Sequence, residues 1–449
     1  MAQRFVELAE KAVKAAERLG ANQTEVYIGA SRSFGIDVEN GSIKSASDRR
    51  DAGCGVRCVV GKSIGFAYVT TLNDDDIDEA VRKSVALAKA SIQDPDFVSL
   101  PSPETSYPVV RGLFDKAVEG LSSDDAAEMI VRCVDAAKEP ITKRRNSIQA
   151  ELSVSSGTKA IVNSLGVSQS AKTTSAFIEG YITIKENGDQ TTGYEYQVSR
   201  ELKGINPEWV GRTASENALR NLGSKSVEGG EMPVIMTPLA VSTVIGSGFA
   251  GAINAEEVQY GRSYISDAIG SQIASERLHI VDDGLLKGGI GSRAFDAEGA
   301  RSQRTEVLKE GVLRSLLHSS YTANKDRVSN TGNAYRPSYA GTPMIATSNF
   351  MIMPDRGTLD DLVSEVKKGV LCMNTGDRPN MTTGDLSAMV MEGFYIENGE
   401  LKHGLKNTLI GINMRDLLKR VSRVGADTRA TASMVTPSII VESAKITSG

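Results

Sequence analysis

Residues 38–44 read Val-Glu-Asn-Gly-Ser-Ile-Lys, and residues 396–402 echo them as Ile-Glu-Asn-Gly-Glu-Leu-Lys. Asn-Gly between two runs of residues is the strongest short-range hairpin signal, because both central residues of that turn need positive φ. Each half of the chain therefore holds antiparallel strands. Around the first turn, residues 25–29, 35–38, 43–47, 55–60 and 65–70 read as short strands, with a further turn at Gly61-Lys62. Glycine is abundant, at 43 residues, and aromatics are only 5%, which fits many tight turns. The shared turn is not taken as a duplication, since Asn-Gly is favoured in unrelated hairpins.

Helical spacing breaks into this β pattern at a few places. Phe5, Val6, Leu8, Ala9, Ala12, Val13, Ala16 and Leu19 recur on one helical face, and Gly20 stops the run. Residues 74–91 open with acids and carry Lys83 and Lys89 later, which suits the helix dipole. A proline-bearing stretch, 94–108, leads to a further helix at 123–138. Residues 148–184 and 195–199 return to strand patterns, and 206–222 is helical. The polar, glycine-containing stretch 223–232 divides the chain into residues 1–225 and 226–449. Beyond it, 234–236 is a strand, with Thr237 as N-cap and Pro238 at the first helical position of a helix. The rest reads as strand, with helices near 358–368 and 413–420. The expected fold class is α+β: an N-terminal antiparallel sheet with packed helices, then a β-rich, barrel-like or sandwich domain with few helices.

Composition excludes several roles. Net charge is -5 with no basic stripe, so neither nucleic acid nor an anionic membrane is an expected partner. No apolar stretch approaches the length of a membrane span, and the charged N-terminal segment is not a signal peptide. Four cysteines, Cys54, Cys58, Cys133 and Cys372, are too few for a disulfide framework, which points to reduced thiols and a cytoplasmic location.

Candidate motifs each meet a plainer reading. Residues 61–65, Gly-Lys-Ser-Ile-Gly, match a nucleophile elbow, but that needs a helix after the serine, and here a strand follows. Residues 246–251, Gly-Ser-Gly-Phe-Ala-Gly, match a dinucleotide fingerprint with Asp267 some way on. They follow a helix rather than a strand, so they read as its end or as close packing against another backbone. His279, His318 and His403 are scattered and form no His-Glu-x-x-His pair. Cys54 and Cys58 fall on one strand face without a second pair. Glu256-Glu257 and Asp282-Asp283 read as solvated turn residues, and Cys372, in an apolar run, as a small buried hydrophobe.

An ordered set of segments carries a resemblance. Ile280-Val281-Asp282-Asp283-Gly284 precedes Arg293-Ala294-Phe295-Asp296-Ala297-Glu298-Gly299. Then come residues 307–313, Tyr321-Thr322-Ala323, Thr383-Gly384-Asp385 and residues 392–400. Together with the first helix, the Asn40-Gly41 hairpin and residues 53–65, the whole chain resembles the TldD/PmbA family, once named modulators of DNA gyrase. The resemblance implies proteolysis of small or unfolded peptides, with TldD-type chains holding zinc through a His-Glu-x-x-x-His segment and a later Cys. Placed on this sequence, the first His position falls on Gly246, the Glu on Ser247, the second His on Gly251 and the Cys near Thr431. Glycine supplies no ligand and serine no carboxylate to activate a zinc-bound water. The resemblance thus implies a PmbA/TldE-type chain with no catalytic or metal-ligating residue and no cofactor of its own. Its partner would be a zinc-bearing TldD-type subunit, its substrate a peptide, and alone it would form a two-fold homodimer. Two other readings stay open: a stand-alone peptide-binding or gyrase-modulating protein, and a peptidase with an unrecognised site such as Cys372 or the acidic pairs.

Overall fold

The computed structural model describes residues 1–448. The N-terminal part is built on a six-stranded antiparallel sheet of order β3-β2-β1-β4-β5-β6. Its strands are β1 (Gln23–Glu39), β2 (Ser42–Val60), β3 (Ser63–Val69), β4 (Arg145–Asn163), β5 (Ser168–Glu186) and β6 (Asp189–Ser199). The two Asn-Gly hairpins form as the sequence indicates, with φ of 53° and 74° at Asn40 and Gly41 and 55° and 75° at Asn398 and Gly399. A third such turn, Asn187-Gly188, joins β5 to β6. The strands, however, are not short. β1 has 17 residues and β2, β4 and β5 have 19 each. The first half of β2 is exposed on nearly every residue, so polar–apolar alternation vanishes there. Its ladder with β1 nevertheless runs unbroken but for one bulge near Val38.

Helices cover one face of this sheet. Ala2–Arg18 and Asp74–Ala90 bury Phe5, Ala9, Ile77 and Val81 against Val26, Ile28, Cys54 and Val56. Ser123–Lys138 and Pro207–Arg220 bury Ile130, Val134 and Val210 against Leu152, Ile178 and Ile182. Side chains of Asn73, Ser122 and Asn206 cap the N-termini of three of these helices. The order helix, three strands, helix thus occurs twice. Gly65 of β3 meets the backbone of Ser84 and Ala88, and Gly193 of β6 meets that of Ala214 and Ala218. A Cβ at either would stand 2.2 or 2.1 Å from a carbonyl oxygen. The chain does repeat, within its N-terminal half rather than between the hairpins at Asn40 and Asn398.

The C-terminal part is a mixed, strand-dominated sheet of twelve strands. Met434–Ser448 lies at its centre, antiparallel to Gly230–Met236, Thr408–Asn413 and Val421–Thr431 and parallel to Phe350–Ile352. The path runs from Val312–Leu313 to Glu400–Gly404 without closing, so the sheet is open rather than a barrel. One helical run crosses it: α-helical over Pro238–Val241, a π turn at Ser242–Gly246, and α-helical again over Ser247–Ala252. The glycines of residues 246–251 therefore lie inside this run and do not end it. Val244, Ile245 and Phe249 enter the core, where Phe249 meets Phe350 edge-on at 6.4 Å. Thr237 stands at the N-cap position, but its hydroxyl donates to the Met373 carbonyl at 2.8 Å instead of capping. No helix of the described residues is long and apolar enough to cross a membrane.

Candidate functional site

The uncovered face of the N-terminal sheet is where the two parts meet. Glu25 and Tyr27 of β1, Arg57 of β2 and Lys159 and Ile161 of β4 point away from the helices, and residues 282–349 close over them. Phe295 and Tyr339 pack on Tyr27, Ile161 and Val167. Gly53 and Gly55 of β2 give Tyr339 its room, since a Cβ on either would come within 2.2 Å of it.

A buried ion network runs through this contact. Arg57 donates to Glu25 at 2.7 Å and to Glu298 at 3.0 Å, and Arg336 pairs with the other oxygen of Glu25. Glu298 also accepts from the Ser320 amide and hydroxyl at 2.9 and 2.6 Å. Burial opposes its charge, yet Arg57 and Ser320 hold Glu298 below the ordinary carboxylate range. Asp296 accepts the amides of Glu298, Ala300 and Ala334, while burial and then the Glu298 charge push it up to about 7. Gly299 has φ +81° and its carbonyl accepts the Tyr107 hydroxyl at 2.8 Å.

Asp282 and Asp283, expected as solvated turn residues, are buried at the end of strand Ile280–Asp283. The Asp282 carboxylate accepts from Ser348 amide and hydroxyl and from Asn333, at 2.7 to 2.8 Å. Asp283 caps Leu285 and pairs with Arg304, and the Gly284 amide bonds the Gln303 carbonyl. The acids are buried because each finds donors, which a linear reading cannot show.

The helical run at 238–252 is the other distinctive region. The space in front of its glycines is filled. A Cβ at Gly246 would lie 2.5 Å from the Met434 sulfur, one at Gly248 2.3 Å from Pro379, and one at Gly251 1.9 Å from the Met381 methyl. Thr431 is buried and donates to the Ser242 hydroxyl at 2.6 Å, and Ser242 donates to the Met434 sulfur at 3.3 Å. The fold thus brings Thr431 and Gly246 to one place, through Met434. Side chains present there are hydroxyls, thioethers and a proline. They do not fit zinc, which takes imidazole, thiolate or carboxylate ligands. Among the described residues no group of three His, Cys, Asp or Glu is placed to hold a metal.

Models of three parts of one family match along the chain. Residues 24–88 match PmbA/TldA metallopeptidase domain 1, residues 116–222 its central domain and residues 229–448 its C-terminal domain. The chain belongs to the PmbA/TldD family. A metalloprotease TldD homolog of Buchnera aphidicola is 27% identical over 88% of this chain and 84% of its own. The metalloprotease PmbA of Escherichia coli is 25% identical over 97% of this chain and 95% of its own. The fold is also that of TldE from Thermococcus kodakarensis, with a TM-score of 0.88 at 23% identity over 98% of this chain and all of that one. The first two PmbA/TldD family domains share the single six-stranded sheet, three strands each, and the third builds the mixed sheet.

The remaining candidates disperse. Ser63 begins β3 and donates to the Ser91 carbonyl, so no nucleophile elbow exists. His279 faces Glu306 at 3.3 Å, His318 is buried with its Nδ1 unpartnered, and His403 stacks on Tyr395. Glu257 pairs with Arg262. All four cysteines are buried and free, and burial pushes the Cys54, Cys133 and Cys372 thiols up to about 12, far from a reactive thiolate. Sequence reasoning missed Glu25, Arg57, Lys159, Arg200 and Arg336. For Glu25, Arg57 and Lys159 a usable signal was there: charged residues inside strands whose neighbours Val26, Val56 and Ala160 are apolar; Arg200 and Arg336, outside the strands, carried none.

Proposed function

We propose that this chain is the PmbA/TldE-type, non-catalytic subunit of a TldD-type zinc peptidase and completes the cavity in which peptides are cleaved. The observation that carries this reading is the helical run at 238–252. At the positions the family resemblance assigns to histidine ligands stand Gly246 and Gly251, and Met434 and Met381 occupy the space a ligand side chain would need. The names of the relatives, metalloprotease TldD homolog and metalloprotease PmbA, and the likeness to a TldE fold point to the same assembly. In this reading zinc belongs to the partner, and this chain supplies wall and substrate contacts, including main-chain pairing with an extended peptide.

The experiment mixes the purified chain with a cognate TldD-type chain and zinc, and follows cleavage of an unfolded peptide. The expected result is no cleavage by this chain alone, cleavage by the mixture, and co-elution of the two chains. Cleavage by this chain alone that the partner does not increase would overturn the reading.

A further inference from the structure

Where the two sheets meet, beside the ion network, a cavity of about 460 Å³ opens to solvent. Lys159, Arg200, Arg293 and Arg336 line it, and no Asp or Glu among the described residues does. That is four cations converging in a protein whose net charge is -5. Arg336 is neutralised behind the wall by Glu25. None of the other three forms an ion pair within 4.0 Å among the described residues, and the carboxylates that act on them, Asp296 on Lys159 and Arg293 and Asp282 on Arg293, are held in the wall by their own hydrogen bonds. Arg200 donates only to the backbone carbonyls of Thr174, Gly289 and Ile290. Arg293 donates to the Gly332 carbonyl at 3.4 Å, and its Nε is buried without a partner. The Lys159 ammonium makes no hydrogen bond and stands 5.1 Å from the Phe295 ring. Burial first, then the Arg293 charge and less so that of Arg200, push Lys159 down to about 8 against the opposing pull of Asp296. Like charges gathered away from bulk water repel and lose hydration, and an anion with several oxygens relieves both costs.

The cavity also adjoins the 238–252 region. Thr431 and Met434 face that helical run, and Ser433, between them in the turn, lines the cavity. Tyr27 lines the same space.

We propose that this cavity is an anion site that holds a carboxylate of the bound peptide, its C-terminal group, against Lys159, Arg200 and Arg293. The identity of the anion rests on the peptide-handling reading above, while the anion site itself does not. An acidic side chain offers the same chemistry, so the test separates the two sources. Binding to the full chain is measured by calorimetry at low salt for three short peptides: one with a free C-terminus, its C-terminal amide, and an amide carrying an internal Glu. Inorganic phosphate is titrated separately, with thermal unfolding as readout.

The free acid is expected to bind at least about tenfold tighter than either amide, the scale of one charged hydrogen bond. Lys159→Met, which removes an unpaired cation and keeps the chain length over Phe295, should erase that preference. It should also abolish the rise in Tm that phosphate produces. A second variant, Ser433→Asp, places a carboxylate in the cavity and should raise Tm and block phosphate. If acid and amides bind alike, or if the internal Glu restores full affinity, the C-terminal assignment falls. If no peptide binds at all, the peptide-handling reading fails and phosphate decides the cavity by itself. Equal phosphate stabilisation of the wild type and both variants overturns the anion site.

Discussion

Glu392 shows how one residue couples stability to pH. It is buried and accepts the Tyr194 amide at 2.8 Å. Burial pushes it up to about 7 from the ordinary 4.5, outweighing the Tyr194 hydrogen bond that favours the charge, with a smaller push from the nearby Glu195 charge. Because its folded pKa lies above its unfolded one, the native state binds the proton more tightly between the two. Stability is therefore lost as pH rises through about 4.5 to 7. Glu392→Gln keeps the oxygen that accepts from Tyr194 and removes the charge. It should gain up to about 3 kcal/mol at pH ~8 and almost nothing at pH ~4. Urea unfolding at both pH values checks this, and an unchanged difference between them would exonerate Glu392. Asp296, also raised to about 7, leaves part of the wild-type slope in place.

At the scale of elements, glycines separate packing that cannot yield from packing that can. Gly65 and Gly193 each face backbone atoms of a helix, which have nowhere to go. Gly65→Ala and Gly193→Ala should each cost about 1–3 kcal/mol, nearly equally, because the two sites are structural copies. Gly251 is different, since the Met381 methyl in its way belongs to a flexible side chain that is 36% exposed. Gly251→Ala should be neutral or stabilising by up to about 1 kcal/mol, as alanine favours helix over glycine. Denaturant midpoints of the three variants test the contrast. The long helices of the N-terminal half were legible in the sequence, because apolar spacing and an acidic first turn are local signals. The strand lengths were not, because the outer half of β2 is held by its partner strand while both its faces meet water. The helical run at 238–252 was half legible. Thr237-Pro238 marked its start, but its passage through three glycines depends on the Met434, Pro379 and Met381 side chains packed against them.

For the whole molecule, the joint between the two sheets decides how the parts act together. Removing one member of a buried ion network leaves the others charged and unpaired, at about 3–5 kcal/mol. Glu298→Ala strands Arg57 and Ser320 and should destabilise the chain by that much. Scanning calorimetry should resolve two transitions in place of one as the joint loosens, and a single sharp transition in the variant would show that the network does not couple the parts. By itself the sequence determined the α+β plan, the hairpin turns, the main helices and the membership in a peptidase family. These follow from local periodicity, turn chemistry and ordered motifs, all carried by residues close together along the chain. Only the tertiary structure decided that Asp282 and Asp283 are buried, that Thr431 meets Gly246 through Met434, and that Lys159, Arg200 and Arg293 share a cavity. Each of those facts joins residues far apart in the chain, and their charges acquire meaning only from the partners and burial that folding assigns.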